Sequence, residues 1–401
     1  MERKRIAIIG GGPAGLIAAD VLAPTHEVHL YEQGKSVGRK FLVAGQGGFN
    51  LTNSLDGAEL AGMYAPPGFL DEALAEFGSM AMRNWLLELG IGTYVGTSGR
   101  VFPSKGIKPI DVLNALRARL VERGVQFHLE HTFAGFDPET KAIIEHNGDR
   151  RSLQTDYALF AFGGASWSVT GSTGIWPELF APIGIETLAF SASNCGVEVA
   201  WPEAFARDHA GKPLKNVRIQ SGERFSYGEA TITAQGLEGN AIYPIVPAVR
   251  EALRSNSPAV LHIDLKPNNN AEQLLDKIAG KEPKNYAEAL NLDRAAFALL
   301  KAFTTKERFC SPFALAHDIK HLRIPVSSLR PIEEAISTVG GIRTEDLSPD
   351  FSLKHHPNIF TLGEMVDWDA HTGGFLLQGC FAMGHHAARS ILLNVVPASK
   401  R

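Results

Sequence analysis

"RIAIIGGGPAGLIAADVL", residues 5–22, constrains the fold of this chain more than any other stretch. Ile6 to Ile9 form an apolar run without alternation, as expected of a parallel strand covered on both faces. Gly10, Gly12 and Gly15 then give the spacing G-x-G-x-x-G, with Pro13 and Ala14 inside it. Each glycine has a separate task in a strand–turn–helix unit that holds a dinucleotide. Gly10 permits the tight turn, Gly12 lets a pyrophosphate approach the backbone, and Gly15 lets the helix lie close to the strand. Free N–H groups at the helix N-terminus face the phosphates. "EVHLYEQ" reads as the second strand, ending at Glu32 and Gln33, with Glu32 22 positions after Gly10. A carboxylate there accepts hydrogen bonds from both hydroxyls of an adenosine ribose and repels a 2′-phosphate.

At 401 residues the chain exceeds what one core usually supports, so two or three domains are expected. No apolar run reaches the ~18 residues of a membrane span. The four apolar residues before the first glycines are too few for a signal peptide, which needs about 7–15. Cys195, Cys310 and Cys380 are odd in number and widely spaced. That argues against a disulfide framework or a metal site and fits a cytoplasmic protein. A net charge of −4 gives no general attraction to polyanions.

The segment after the second strand chooses between cofactors. In a nicotinamide dehydrogenase that strand leads into another crossover helix. Here it leads into "GKSVGRKFLVAGQGGFNLTN", which has no helical period. Close backbone approach to a flat, wide flavin favours glycine, and the polar edge of the ring favours backbone amides, Asn and Thr. Gly47, Gly48, Asn50, Leu51 and Thr52 are therefore candidates for the ring, with Arg39 and Lys40 near the pyrophosphate. FAD is the expected cofactor.

"GGGPAGL…YEQ…GRKFLVAGQGGFNLTNS" resembles the N-terminal signature of the BaiN/YhiN-like FAD-dependent oxidoreductases, within the two-dinucleotide-binding-domain flavoproteins. "SGRVFPS" at 98–104, "GGASWSVTGSTG" at 163–174 and "LGEMVDWDAHTGGFLLQGCFAMG" at 362–384 resemble the same family. One departure is Gly48-Phe49, where many members carry Arg-Cys before the first asparagine, so any role of that cysteine is absent here. The resemblance implies that Thr132 or Phe133 lies beside the adenine through its backbone, with Phe133 the chosen candidate. Ala161, Gly163 and Gly164 would form a second dinucleotide contact at a strand end. Gly363 and Glu364 would reach the ribityl and phosphates, and Thr372, Gly373, Gly374, Phe375 and Leu376 would meet the flavin N1–C2=O edge. A helix N-terminus at that edge favours reduction, because the reduced ring is negative there.

The fold class expected is α/β. A discontinuous Rossmann-like FAD-binding domain (1–190 and 336–401) receives a β-rich insert (191–265 and 323–335), inside which a helical subdomain (266–322) is nested. One amphipathic helix is expected over 71–90, a second from Pro109 to Gly124, and a hairpin at Asn147-Gly148. No second G-x-G-x-x-G follows a strand, so NAD(P)H is expected to visit the flavin as a diffusing donor rather than to own a domain.

His371 is the first candidate for proton transfer, and Arg100, Ser104 and Lys105 are candidate substrate contacts. His385-His386 lack partners at ligand spacing, so no metal is expected. Basic residues between 301 and 330 form either a solvated face or a phosphate-binding patch. The resemblance brings two substrate types, a steroid-like enone and a uracil within ribosomal RNA. The expected reaction is reduction of a conjugated C=C bond. The rivals are amine or alcohol oxidation by a flavin oxidase, and a non-enzymatic flavin-bound RNA- or protein-binding adaptor.

Overall fold

The computed structural model describes residues 2–43 and 48–394. The chain divides into two compact units, one of residues 1–191 and 337–401, the other of residues 192–336.

The first unit is built on a six-stranded sheet. Its strands are β1 (Arg5–Ile9), β2 (Glu27–Glu32), β3 (Gln126–Leu129), β4 (Tyr157–Phe160), β5 (Ser352–Leu353) and β6 (His356–Thr361). They lie in the order β5-β6-β4-β1-β2-β3. All neighbours are parallel except the antiparallel edge pair β5–β6. Ile6, Ile8 and Leu30 are fully buried, as strands covered on both faces require. Helix α1 (Pro13–Leu22) packs on β1 and β2, and the long C-terminal α4 (Phe375–Asn394) packs on α1. A side chain at Gly384 would overlap the carbonyl oxygen of Ala14, so the close approach of these helices depends on that glycine. Helix α3 (Pro109–Glu122) buries Leu113, Leu116 and Leu120 and is followed by Gly124 at φ +81°. The hairpin at Asn147-Gly148 has both residues at positive φ, as a two-residue primed turn demands.

Two local readings need correction. The expected helix over 71–90 is two helices, Asp71–Glu76 and Ser79–Glu88. Phe77 leaves helical geometry (φ −132°, ψ 65°) and Gly78 precedes the second helix in an extended conformation. The Ser79 hydroxyl donates to the Asn53 carbonyl, which fixes the second helix to a distant strand. The glycine-rich segment after β2 does contain a helical turn, α2 (Arg39–Val43). Tertiary anchors on both basic residues, given below, hold a turn whose sequence has too short an apolar period to announce it. Gly47 lies outside the described residues.

The second unit carries a seven-stranded sheet, in which Pro213–Ser221 pairs with both Arg224–Ile232 and Val260–Asp264. Its helices do not have a core of their own. Leu274, Ile278, Leu299 and Leu315 lie in the same buried cluster as Ile219, Leu261, Ile263 and Ile324. The nested helical piece is thus one layer of the insert, because short amphipathic helices bury their apolar stripe on the nearest sheet.

Candidate cofactor and active site

The first unit brings sequence-distant glycines to the C-terminal ends of β1, β4 and β6. Gly10 (φ +111°) donates its N–H to Tyr31 O at 2.8 Å. A side chain there would overlap the Ala161 carbonyl, and one at Gly15 would overlap the Gly10 carbonyl. Both glycines are therefore explained by the protein itself. Gly12 is different. Its φ of −81° and ψ of −179° suit any residue, and a Cβ there would meet nothing closer than the Ala161 oxygen at 3.9 Å. Nothing in the fold of the chain requires glycine at this place. No side chain caps α1, so its first amides, which have no intrahelical acceptor, open onto the same space. The residues present therefore fit a dinucleotide pyrophosphate.

Glu32 sits beside this turn. Its Oε2 accepts from Gly11 N at 2.9 Å and its Oε1 from Gly34 N at 2.8 Å. The two amides hold the carboxylate in one orientation while each oxygen keeps lone-pair capacity for a ribose hydroxyl. Gln33 Nε2 donates to Gly171 O and Arg39 Nη2 to Val169 O, both at 2.7 Å. These two side chains thus hold the 168–171 turn. Lys40 Nζ donates to Ser166 Oγ at 2.9 Å and to Glu364 Oε2 at 2.8 Å. Glu364, 6% exposed, also accepts from Thr338 N at 2.9 Å. Its carboxylate ties β6 to α2 and to the 338–342 strand, a role that sequence reasoning missed. A side chain at Gly164 would overlap Thr338 Oγ1, so that glycine makes room for the same tie. Gly163 (φ +75°) and Gly363 (φ +75°) turn the chain at the ends of β4 and β6.

Phe133 is buried among Phe136, Phe160, Phe162 and Phe180, so only its backbone remains to meet a ligand. Ala161 N donates to Ile9 O at 2.9 Å, continuing the β1–β4 ladder into the turn.

A second cluster forms around the N-terminus of α4. Gly373 (φ +118°) and Gly374 (φ +98°) are both in conformations that favour glycine, and a Cβ at Gly374 would lie 2.6 Å from the Thr52 backbone. The Thr52–Asn53 strand therefore packs directly on this turn. Thr52 Oγ1 donates to Gln378 Oε1 at 2.7 Å, and Gln378 Nε2 donates to Phe77 O at 2.6 Å. Tyr64 Oη donates to Phe375 O at 2.8 Å, and its own ionisation is pushed well up by burial. Arg100 Nε and Asn53 Nδ2 flank Gly373, at 3.7 and 3.8 Å from where its Cβ would be. His371 N donates to Met63 O at 3.2 Å, and the His371 and Thr372 side chains are half-buried beside that turn. Leu51 is fully buried, with its N–H on Val101 O at 2.8 Å, while Leu376 is half-buried. Gly48 (φ +113°) and Asn50, whose N–H meets Gly48 O at 2.9 Å, lead into the strand. Phe49 packs edge-on against Phe41. Ser104 N bonds Gly92 O, and Lys105 is exposed. Of the three substrate candidates, only Arg100 comes beside the glycine turn. Cys380 is buried and its thiol is pushed up to about 12, chiefly by burial, so it is inert. No cluster of metal-ligating side chains is found among the described residues, and no described helix is long and apolar enough to cross a membrane.

The model of the HI0933-like protein Rossmann domain matches residues 4–390. The chain belongs to that family. The resemblance read from the glycine motifs is borne out, and with it the class of FAD-dependent oxidoreductases. The 3-dehydro-bile acid delta(4,6)-reductase of Clostridium scindens is 24% identical, over 96% of this chain and 98% of its own. A ribosomal RNA dihydrouridine synthase of Haemophilus influenzae is 23% identical, over 96% and 97%. Among solved structures, the 3-ketosteroid delta1-dehydrogenase of Sterolibacterium denitrificans shares the fold with a TM-score of 0.51 at 14% identity. That match covers 98% of this chain and 100% of the other.

Proposed function

We propose that the protein binds FAD in the first unit and reduces a conjugated C=C bond, with NAD(P)H as the diffusing electron donor, in the cytoplasm. The observation that carries the reading is Gly12, a glycine that the chain's own packing and dihedrals do not need, at an uncapped helix N-terminus beside a fixed carboxylate. In this reading Gly10, Gly12 and the first amides of α1 hold the pyrophosphate, and Glu32 holds the ribose. Phe133 backbone meets the adenine, and Thr52, Gly373, Gly374 and the start of α4 meet the ring. When bound, FAD supplies a hydride from N5. The chain supplies position, a dry apolar surround from Leu51 and Phe375, and a proton, for which His371 beside the Gly373 turn is the candidate. Arg100, on a strand beside the same turn, would face the negative end of a polarised carbonyl in either substrate type.

The relatives' names support both substrate types, an enone in a bile acid and a uracil in ribosomal RNA. The test is anaerobic. The purified protein should carry an absorbance band near 450 nm that NADH or NADPH bleaches, and a conjugated enone or a uridine-containing RNA should restore it. Bleaching by an amine, with steady release of hydrogen peroxide in air, would instead support an oxidase. A colourless protein that cannot be reconstituted would end the reading.

A further inference from the structure

The second unit presents a sheet face of unusual composition. One face of its strands is the core, with Ile219, Ile263, Leu261, Leu322 and Ile324 buried. The opposite face of an exposed antiparallel sheet is ordinarily polar. Here Phe225 and Tyr227 stand on it, 54% and 63% exposed. Register places Phe225 opposite Gln220, Gln220 opposite His262, and His262 opposite Arg323. These four side chains form one continuous row across four strands, about 14 Å long at the usual strand spacing. In the next row Tyr227 faces Arg218, whose guanidinium lies 4.6 Å from the centre of the Phe225 ring and 6.0 Å from that of Tyr227.

Charge follows the aromatic rings. Arg218 and Arg323 form no ion pair among the described residues. Asp264, the acid in the Tyr227–Arg218 row, is matched by Lys320 Nζ at 2.6 Å. Beyond Arg323 the surface continues to His321 and His317, whose rings are 5.0 Å apart. Both line an open depression of about 370 Å³, together with Lys320 and residues 267–271. Glu229 and Glu238 bound the platform on its other side.

We propose that this face is a stacking platform for an unpaired stretch of RNA, with bases on Phe225 and Tyr227 and the phosphate backbone running past Arg218 toward Arg323. Aromatic rings on an open sheet, interleaved with guanidinium groups, are the chemistry that holds single strands, because every base has a π-face and every linkage a negative charge. The inference rests on the RNA arm of the function proposed above and selects it over the enone.

The test uses the full-length flavin-loaded protein and a fluorescein-labelled, uridine-rich RNA 12-mer, read by anisotropy across salt concentrations. The wild type should bind, with an affinity falling as salt rises. The double variant F225A/Y227A should lose about tenfold or more. F225Y/Y227F should keep the wild-type value, and R323Q should make the salt slope shallower by about 0.7. All variants should retain the wild-type flavin spectrum, since no altered side chain is buried. Unchanged RNA affinity in the double variant or no binding by the wild type would each overturn the proposal. So would self-association of the protein that F225A/Y227A abolishes without any RNA affinity. A yellow protein without RNA affinity removes this proposal alone, whereas a colourless one that retains RNA removes the flavin reading alone.

Discussion

Gly12 and Gly15 are three positions apart, yet the structure predicts opposite consequences for the same substitution. Gly12→Ala places a methyl group in open space, at a backbone conformation that alanine adopts freely. The fold loses only the preference for glycine over alanine at a helix N-cap, about 0.5–1 kcal/mol. Gly15→Ala drives a methyl group into the Gly10 carbonyl and to 3.1 Å from the Ile8 side chain. Overpacking of this kind costs about 1–3 kcal/mol. Flavin affinity should reverse in order of specificity. The methyl group on Gly12 displaces the pyrophosphate from amides whose charge-assisted bonds contribute about 1.5–3 kcal/mol each. Losing one or two of them weakens FAD by about a hundredfold or more. The assay pairs urea unfolding of the flavin-free protein with titration of FAD by fluorescence quenching. Wild-type FAD affinity in Gly12→Ala would refute the placement of the pyrophosphate. A Gly12→Ala protein as unstable as Gly15→Ala would refute the steric argument itself.

Three further outcomes follow from named contacts. Glu364→Ala leaves Lys40 and the Thr338 amide without their buried acceptor and should destabilise by about 3 kcal/mol, read from the urea midpoint, with Glu364→Gln costing less. Asp20, 3% exposed, accepts from Trp85 Nε1 at 2.9 Å and pairs with Arg119 and Arg123. Asp20→Ala should cost about 3 kcal/mol in the same assay while bound flavin keeps its spectrum, because Asp20 lies two turns beyond the N-terminus of α1 and its partners Trp85, Arg119 and Arg123 are outside the candidate site. His128 and His385 are each lowered from 6.5 to about 4, chiefly by burial, so the folded chain resists their protonation. Their contribution is complete above about pH 6.5 and is lost as pH falls toward 4, on the order of 1–2 kcal/mol each after discounting for partial exposure. Urea midpoints measured from pH 7.5 to 4.5 should fall accordingly, and His385→Phe, which keeps the stack on Phe77, should flatten that fall.

By itself the sequence determined the features whose physics is local. The turn at Gly10–Gly15, the strand that ends in Glu32, the Asn147-Gly148 hairpin and the glycine pair before α4 all follow from dihedral preference, apolar period and spacing within a few residues. Only the tertiary structure decided which distant groups meet. Lys40 and Glu364 are 324 positions apart, and Thr52 and Gln378 are 326 apart. No periodicity carries such pairings, since they depend on which strands are neighbours. The break at Phe77-Gly78 belongs with them, because Ser79 answers to a carbonyl on a remote strand. So does the row from Phe225 to Arg323, where alternation along each strand tells which residues share a face but only register tells which of them stand side by side.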